Sequence, residues 1–270
     1  MRAADSVWML SYRVGAAAAL VAVIIFRRNL AAELSLLAGL GIVRFAPAVP
    51  PVSAAEWFAL LQDSCLVGLW LLDIFDLANY ALVGLIFIAL YGALRRVQNG
   101  MMTVATVFCF VGIAVCFASN QALPMLALSK QYAAATTEAN RSLLLAAGQA
   151  RLAFNNPGAL YKGTGFYLSL FLVLTAGLIV SIVMAGGRVF SRLTAAMGIT
   201  ANVIALGYFP ALVFAPSLCA LPPSISAPFR LAWYIMIALR LFKLARGTGE
   251  AGRGAARCGG GDSGYRSGGA

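Results

Sequence analysis

Histidine is absent from the 270 residues of this chain. Its absence removes Ser-His and Cys-His hydrolysis, His-ligated zinc and bis-histidine haem ligation. Acids are scarce too, with nine Asp and Glu against twenty Lys and Arg, and charged residues of both signs make up only 11% of the chain. A soluble domain normally carries about a quarter charged residues. The five cysteines (Cys65, Cys109, Cys116, Cys219 and Cys258) form no CxxC pair. Cys109 and Cys116 fall roughly 10 Å apart along a helix, too far for a disulfide. The odd count and missing pairs argue against a disulfide scaffold, and the cysteines read as small packing residues. No internal repeat is found, and no pair of broken helices in corresponding halves, the usual pointer to a midplane transport site.

What the chain has in abundance is apolar length. It is 61% hydrophobic, more than a water-soluble domain of this size can hide, so it reads as an all-α membrane protein. The net charge of +11 does not indicate nucleic acid. The basic residues sit at the ends of apolar runs and make no stripe interleaved with aromatics. Orientation signals and the headgroups of a lipid bilayer account for them better.

Six spans are expected: Val14 to Phe26, Cys65 to Leu94, Met101 to about Leu123, Leu160 to Ala185, about Leu193 to Phe214, and Pro228 to about Leu244. The first resembles a signal-peptide core in length, but Arg27-Arg28 follow at once, so it reads as a retained span. The stretch LAAELSLLAGLGIV after it is apolar, broken by Glu33 and bounded by Arg44, and reads as a surface-lying or re-entrant helix. Between the third and fourth spans, 125–154 reads as an amphipathic hairpin, with Thr136 or Thr137 as N-cap and Glu138 in the first turn. Asn155-Asn156-Pro157-Gly158 stops it.

In the fourth span Gly177, Ser181 and Ala185 recur every four residues, a spacing that lets helix backbones approach in lipid. A kink is expected at Pro210 in the fifth. Residues 1–246 therefore form one helical transmembrane domain, and 247–270 (GTGEAGRGAARCGGGDSGYRSGGA) a disordered Gly-rich tail. Arg95-Arg96, Arg188, Arg192, Arg240, Lys243 and Arg246 should be cytoplasmic. Both termini then lie inside, and the loops 29–62 and 124–159 face outward.

Three stretches carry a resemblance: ALSKQYAAATTEANRSLLLAAGQA, RVFSRLTAAMGITANVIALGYFP and DLANYALVGLIFIALYGALRRV. The chain, over roughly residues 10–245, resembles a group of bacterial six-span membrane proteins known only as a domain of unknown function. The resemblance implies six helices and a bacterial inner membrane, with no activity, cofactor or catalytic residue.

The candidate polar intramembrane site is Asp73, Asp76 and Asn79 on the second span, with Arg230 at the start of the sixth. Ionisable groups inside apolar runs are rare and costly, which makes them the place to look for function. On a helical wheel Asp73, Asp76, Asn79, Tyr80, Gly84, Phe87 and Tyr91 share one side, and Leu71, Leu72, Ile74, Leu82, Leu85 and Ile86 fall mostly on the other. The first set should face the bundle and the second the lipid.

An Asp76–Arg230 or Asp73–Arg230 ion pair would lock two helices together. A carboxylate in a water-filled vestibule would instead bind a proton or cation. Thr106, Cys109, Cys116 and Asn120 form a stripe on the third span that reads as packing and interhelical hydrogen bonding, as does Asn202 in the fifth. Gly163 and Gly165 in YKGTGFY read as an interfacial helix start, with Lys162 snorkelling.

No metal set and no cofactor motif is present. An intramembrane enzyme using the two acids as general acid and base is disfavoured, because no GxGD motif falls in an apolar span and both acids fall within one span. The sequence is thus read as that of a non-catalytic structural or accessory membrane protein whose outer loops touch a protein partner. The alternative is a small transporter or proton-coupled permease using Asp73, Asp76 and Asn79.

Overall fold

A computed structural model describes residues 2–27, 51–157, 159, 161–219 and 221–258. Among these the chain is helical, with no strand. The helices are α1 (Arg2–Arg27), α2 (Ala54–Asp63), α3 (Cys65–Leu71), α4 (Ile74–Leu94), α5 (Asn99–Ser119), α6 (Ala122–Ala134), α7 (Glu138–Phe154), α8 (Thr164–Gly186), α9 (Arg192–Leu206), α10 (Tyr208–Phe214) and α11 (Leu221–Cys258). The expected helix over LAAELSLLAGLGIV lies outside the described residues.

Six helices form a closed ring. Going round it, α1 packs on α4, α4 on α5, α5 on α8, α8 on α9, α9 on α11, and α11 back on α1. Five segments of the chain are long and apolar enough to cross a membrane, and α1 adds a shorter apolar stretch, Trp8–Ile24. The result is an all-α membrane bundle. Large apolar side chains such as Val107, Phe110, Val111, Phe171 and Leu239 stay exposed on its outside, which suits a lipid solvent and would be a liability in water.

Small residues set the spacing. Ala16, Ala18, Ala19 and Ala22 bury the inner face of α1, and a Cβ on Gly15 would lie 2.3 Å from the Cβ of Ala89 on α4. Of the expected small-residue stripe on α8, two members take part. A Cβ on Gly177 would meet Asn202 of α9, and one on Gly198 of α9 would meet Ser181. Ala185 is exposed and does not join them. At one end of the ring Trp8 of α1 covers Gly92, and the Arg95 guanidinium lies over its ring, 4.7 Å from the centroid.

At the other end of α4, the helices α2, α3, α6 and α7 form a head with its own core, including Trp57, Phe58, Leu61, Leu72, Met125 and Leu152. A capping box starts α2: Ser53 accepts from the backbone N–H of Glu56, while the Glu56 carboxylate accepts from the N–H groups of Val52 and Ser53. Those two donors hold the Glu56 carboxyl below its ordinary range. Thr137 caps α7 through the N–H of Asn140, and α7 ends at Phe154, just before the Asn-Asn-Pro-Gly stop.

Five expected spans differ in their limits, the first of them starting already at Arg2. The second breaks at Leu72-Asp73, so its first turns become α3 and join the head. The third ends at Ser119 and restarts as α6, with Pro124 inside the first turn of that helix. A proline is tolerated there because its missing N–H has no partner to lose. The fifth breaks at Gly207 and not at Pro210. The proline ring clashes with the carbonyl four residues back, that of Leu206, where α9 ends. The sixth begins at Leu221, since Pro222 and Pro223 fit its first turn. Its backbone continues to Cys258, twelve residues into the segment read as a tail; 259–270 lie outside the described residues.

If ring closure depends on α1 touching α4 through bare backbone, Gly15→Leu should cost about 1–3 kcal/mol. Gly100, with open space around it, should accept Ala with little change. Thermal unfolding of the two variants in detergent checks this, and equal midpoints would refute the close approach.

Candidate functional site

Three chain breaks meet where the head joins the ring: Leu72-Asp73, Asn120-Gln121 and 155–163. Each break frees backbone groups that lipid cannot hydrate, and amide side chains take them up. The Nδ2 of Asn120 donates to the carbonyl of Asp73 at 3.1 Å, and its Oδ1 accepts from the N–H of Ala122 at 3.0 Å. The carbonyl of Ser119, last residue of α5, accepts from Gln121 Nε2 and Asn155 Nδ2. Asn156 Nδ2 donates to the carbonyl of Val52, and its N–H to that of Lys162. Gly163 supplies the positive φ of 107° at the start of α8, packed against the carbonyl of Phe154 so closely that a Cβ would not fit.

Asp73 stands at the centre of this seam. It is the N-terminal flanking residue of α4 and, among the described residues, the sole non-glycine with a positive φ, at 59°. It is therefore not on the helical face where the wheel put it. Asp76 is in the first turn of α4 and Asn79 one turn further. The rest of the wheel holds in part. Asn79, Gly84 and Phe87 are buried and Leu85 is exposed as expected, but Ile86 is buried in the ring core, and Leu71 and Leu72 are buried in the head. Bundle packing on both flanks of α4 leaves it a narrower lipid face than a wheel assumes.

Two spaces open beside the acids. A small void of about 20 Å³ is lined by Asp73, Asp76, Tyr80, Cys116, Ser119, Asn120, Asn155, Phe166 and Ser169. A cavity of about 300 Å³ is lined by Asp76, Asn79, Tyr80 and Val83 of α4, Phe166, Leu170, Val173 and Leu174 of α8, and Arg230 and Tyr234 of α11. These three helices are alternate members of the ring, so the cavity lies at its centre. A third space of about 440 Å³ abuts it through Phe166, Leu170, Leu174 and Arg230, and adds Lys162, Tyr208, Cys219 and Ser224. Lys162 holds its ammonium 4.6 Å from the centroid of the Phe166 ring, an anchoring more specific than simple snorkelling.

The expected residues thus come together, but not as an ion pair. Among the described residues Arg230 makes no salt bridge with Asp73 or Asp76. Its Nη2 donates to Ser226 Oγ at 3.4 Å, and the hydroxyls of Tyr80 and Tyr234 are close enough to act on it electrostatically. Cys109, Cys116 and Asn120 do face inward from α5. Thr106 bonds only to its own helix, at the carbonyl of Met102, and Asn202 likewise to that of Gly198.

Sequence reasoning missed Ser169, Asn155, Tyr234 and Lys162 as site residues. Asn155 was legible as a helix stop, and Ser169 and Tyr234 are polar groups in apolar spans; their convergence is a product of ring closure.

Asn120→Ala should cost about 1–2 kcal/mol, since it strands the Asp73 carbonyl and removes a cap. Asn120→Asp, which keeps the capping oxygen but sets an anion against the Asp73 carbonyl and beside two other acids, should cost more. Asp73→Gly should raise stability by about 1 kcal/mol by relieving the left-handed backbone. Unfolding midpoints of the three variants test the seam, and a loss of stability in Asp73→Gly would make the side chain a structural tie.

No protein-family model, curated protein or solved structure matches this chain, and the ground for its function is the chemistry of these cavities.

Proposed function

We propose that this chain is a small permease of the bacterial inner membrane that passes a carboxylate-bearing solute through the centre of its helical ring. The observation that carries the reading is that Asp76, Asn79 and Tyr80 of α4 and Arg230 of α11 line one central cavity, which abuts a second space lined by Arg230 and Lys162. Ionisable groups that line a cavity inside apolar spans stand where a polar solute would be met. Lys162 and Arg230 line the abutting space, so a solute carboxylate meets two cations there, while Asp76 is left to carry a proton or cation with it.

In this reading both termini are cytoplasmic. Arg188, Arg240 and Lys243 line a shared cavity of about 420 Å³, and basic residues of that kind stay on the inner face. The head, with the seam beneath it, then faces outward and guards the outer mouth.

Asp76→Asn and Arg230→Gln should each lower uptake at least tenfold in proteoliposomes offered a panel of radiolabelled small carboxylates and amino acids. Undiminished uptake by Asp76→Asn would remove the acid from the mechanism and the permease reading with it.

A second reading, an accessory protein that docks a protein partner on its outer loops, is favoured by one observation. Helix α7 buries little beyond Gly148 and Leu152, and leaves Leu143 68% exposed. Leu143→Asp should then abolish co-purification of the partner while leaving uptake intact; a partner retained by this variant would argue against docking through α7.

A further inference from the structure

We propose that the small void at the seam is a sodium site formed by the carboxylates of Asp73 and Asp76, the Oδ1 of Asn155 and the Oγ of Ser169. The proposal deepens the permease reading, since it names the cation that accompanies the solute.

Two acids side by side make no site. What points to a ligand is the pair of buried oxygens beside them. Asn155 is 7% exposed and Ser169 1%. Asn155 Oδ1 has no hydrogen-bond partner, and Ser169 Oγ, within reach of the Tyr80 hydroxyl and the Cys116 thiol, makes no hydrogen bond of full geometry. Leaving a buried acceptor unsatisfied typically costs about 1–3 kcal/mol, and both residues line the same void as the carboxylates. Asn155 has already committed its amide nitrogen to the carbonyl of Ser119, so only an acceptor oxygen is left to serve the void.

The chemistry of the donors selects the occupant. Four oxygens, two of them anionic, suit a hard cation that binds oxygen alone. Among the described residues no group of three or more His, Cys, Asp or Glu gathers to hold a metal ion, and with no histidine in the chain the oxygen-rich donor set is a poor match for a transition metal. Size and charge narrow the choice further. The void of about 20 Å³ accepts one water-sized occupant. With both aspartates ionised and Lys162 near enough to act on them, the site carries a net single negative charge, which a monovalent ion neutralises. The void also lies against a helix break, and irregular backbone inside a bundle is tolerated where it lines an ion or solute path. Asp76 borders both the void and the central cavity, so a cation here is one side chain away from the solute.

The test uses the full chain in detergent at constant ionic strength. Its thermal midpoint is compared in sodium, potassium and choline chlorides at two pH values, and saturable binding of radioactive sodium is measured directly. Sodium should raise the midpoint where choline does not. Asp76→Asn and Ser169→Ala should weaken sodium binding at least tenfold, while Asp63→Asn, on the exposed end of α2, should leave it unchanged. Ser169→Ala removes a single oxygen and leaves the packing of α8 in place, so the variant is expected to fold.

Equal midpoints in sodium and choline, or a midpoint that follows pH alone, would overturn the sodium site. Undiminished binding in Ser169→Ala and Asp76→Asn would do the same. Sodium bound by a protein that moves no solute would leave this inference standing and fell the permease reading. Uptake driven equally well without sodium would do the reverse.

Discussion

Breaking a helix inside a membrane protein frees N–H and C=O groups that lipid cannot hydrate, and the architecture of this protein turns on how it meets that constraint. The chain breaks beside the ring after Leu72, after Ser119 and after Phe154. The freed groups are taken up by the amides of Asn120, Gln121, Asn155 and Asn156. This network lets α3, α6 and α7 leave the ring and build a head with its own core. It also fixes Asp73 in the left-handed conformation, where glycine would be the ordinary choice. Strained positions of this kind persist when the surroundings over-determine them, and they gather at functional sites.

The ring supplies the second half of the design. Alanine and glycine faces bring α1 against α4 and α8 against α9. The centre is closed by bulky residues over most of its length, including Phe87, Ile113, Trp233 and Ile237. Towards the seam it opens into the central cavity, where polar groups of α4 and α11 stand opposite apolar side chains of α8. There low dielectric strengthens every charge interaction and penalises any charge left without one. An acid and a guanidinium, Asp76 and Arg230, both line that cavity.

Much of this was legible in the residues. The apolar runs announce membrane helices because no aqueous core could bury them. Asn155-Asn156-Pro157-Gly158 and Thr137 mark the ends of α7, since caps and stops are local chemistry. Asp76, Asn79 and Arg230 stand out as polar groups in apolar surroundings, and all three do line the central cavity. The break at Asp73 was not legible. Nothing local in LWLLDIFD separates a continuous helix from two; the carbonyl that Asn120 rescues is 47 residues away in the chain. The same holds for Ser169 and Tyr234, whose neighbours come from other helices.

The sequence by itself determined the solvent, the all-helical class and the caps and turns, because these follow from side-chain transfer energies and from contacts within a few residues. Only the tertiary structure decided that the helices close into a ring, that Asp76 and Arg230 line one cavity with no salt bridge between them, and that two buried oxygens accompany the acids. Those outcomes depend on which backbones approach most closely, and that is settled by packing small residues against each other across the whole bundle.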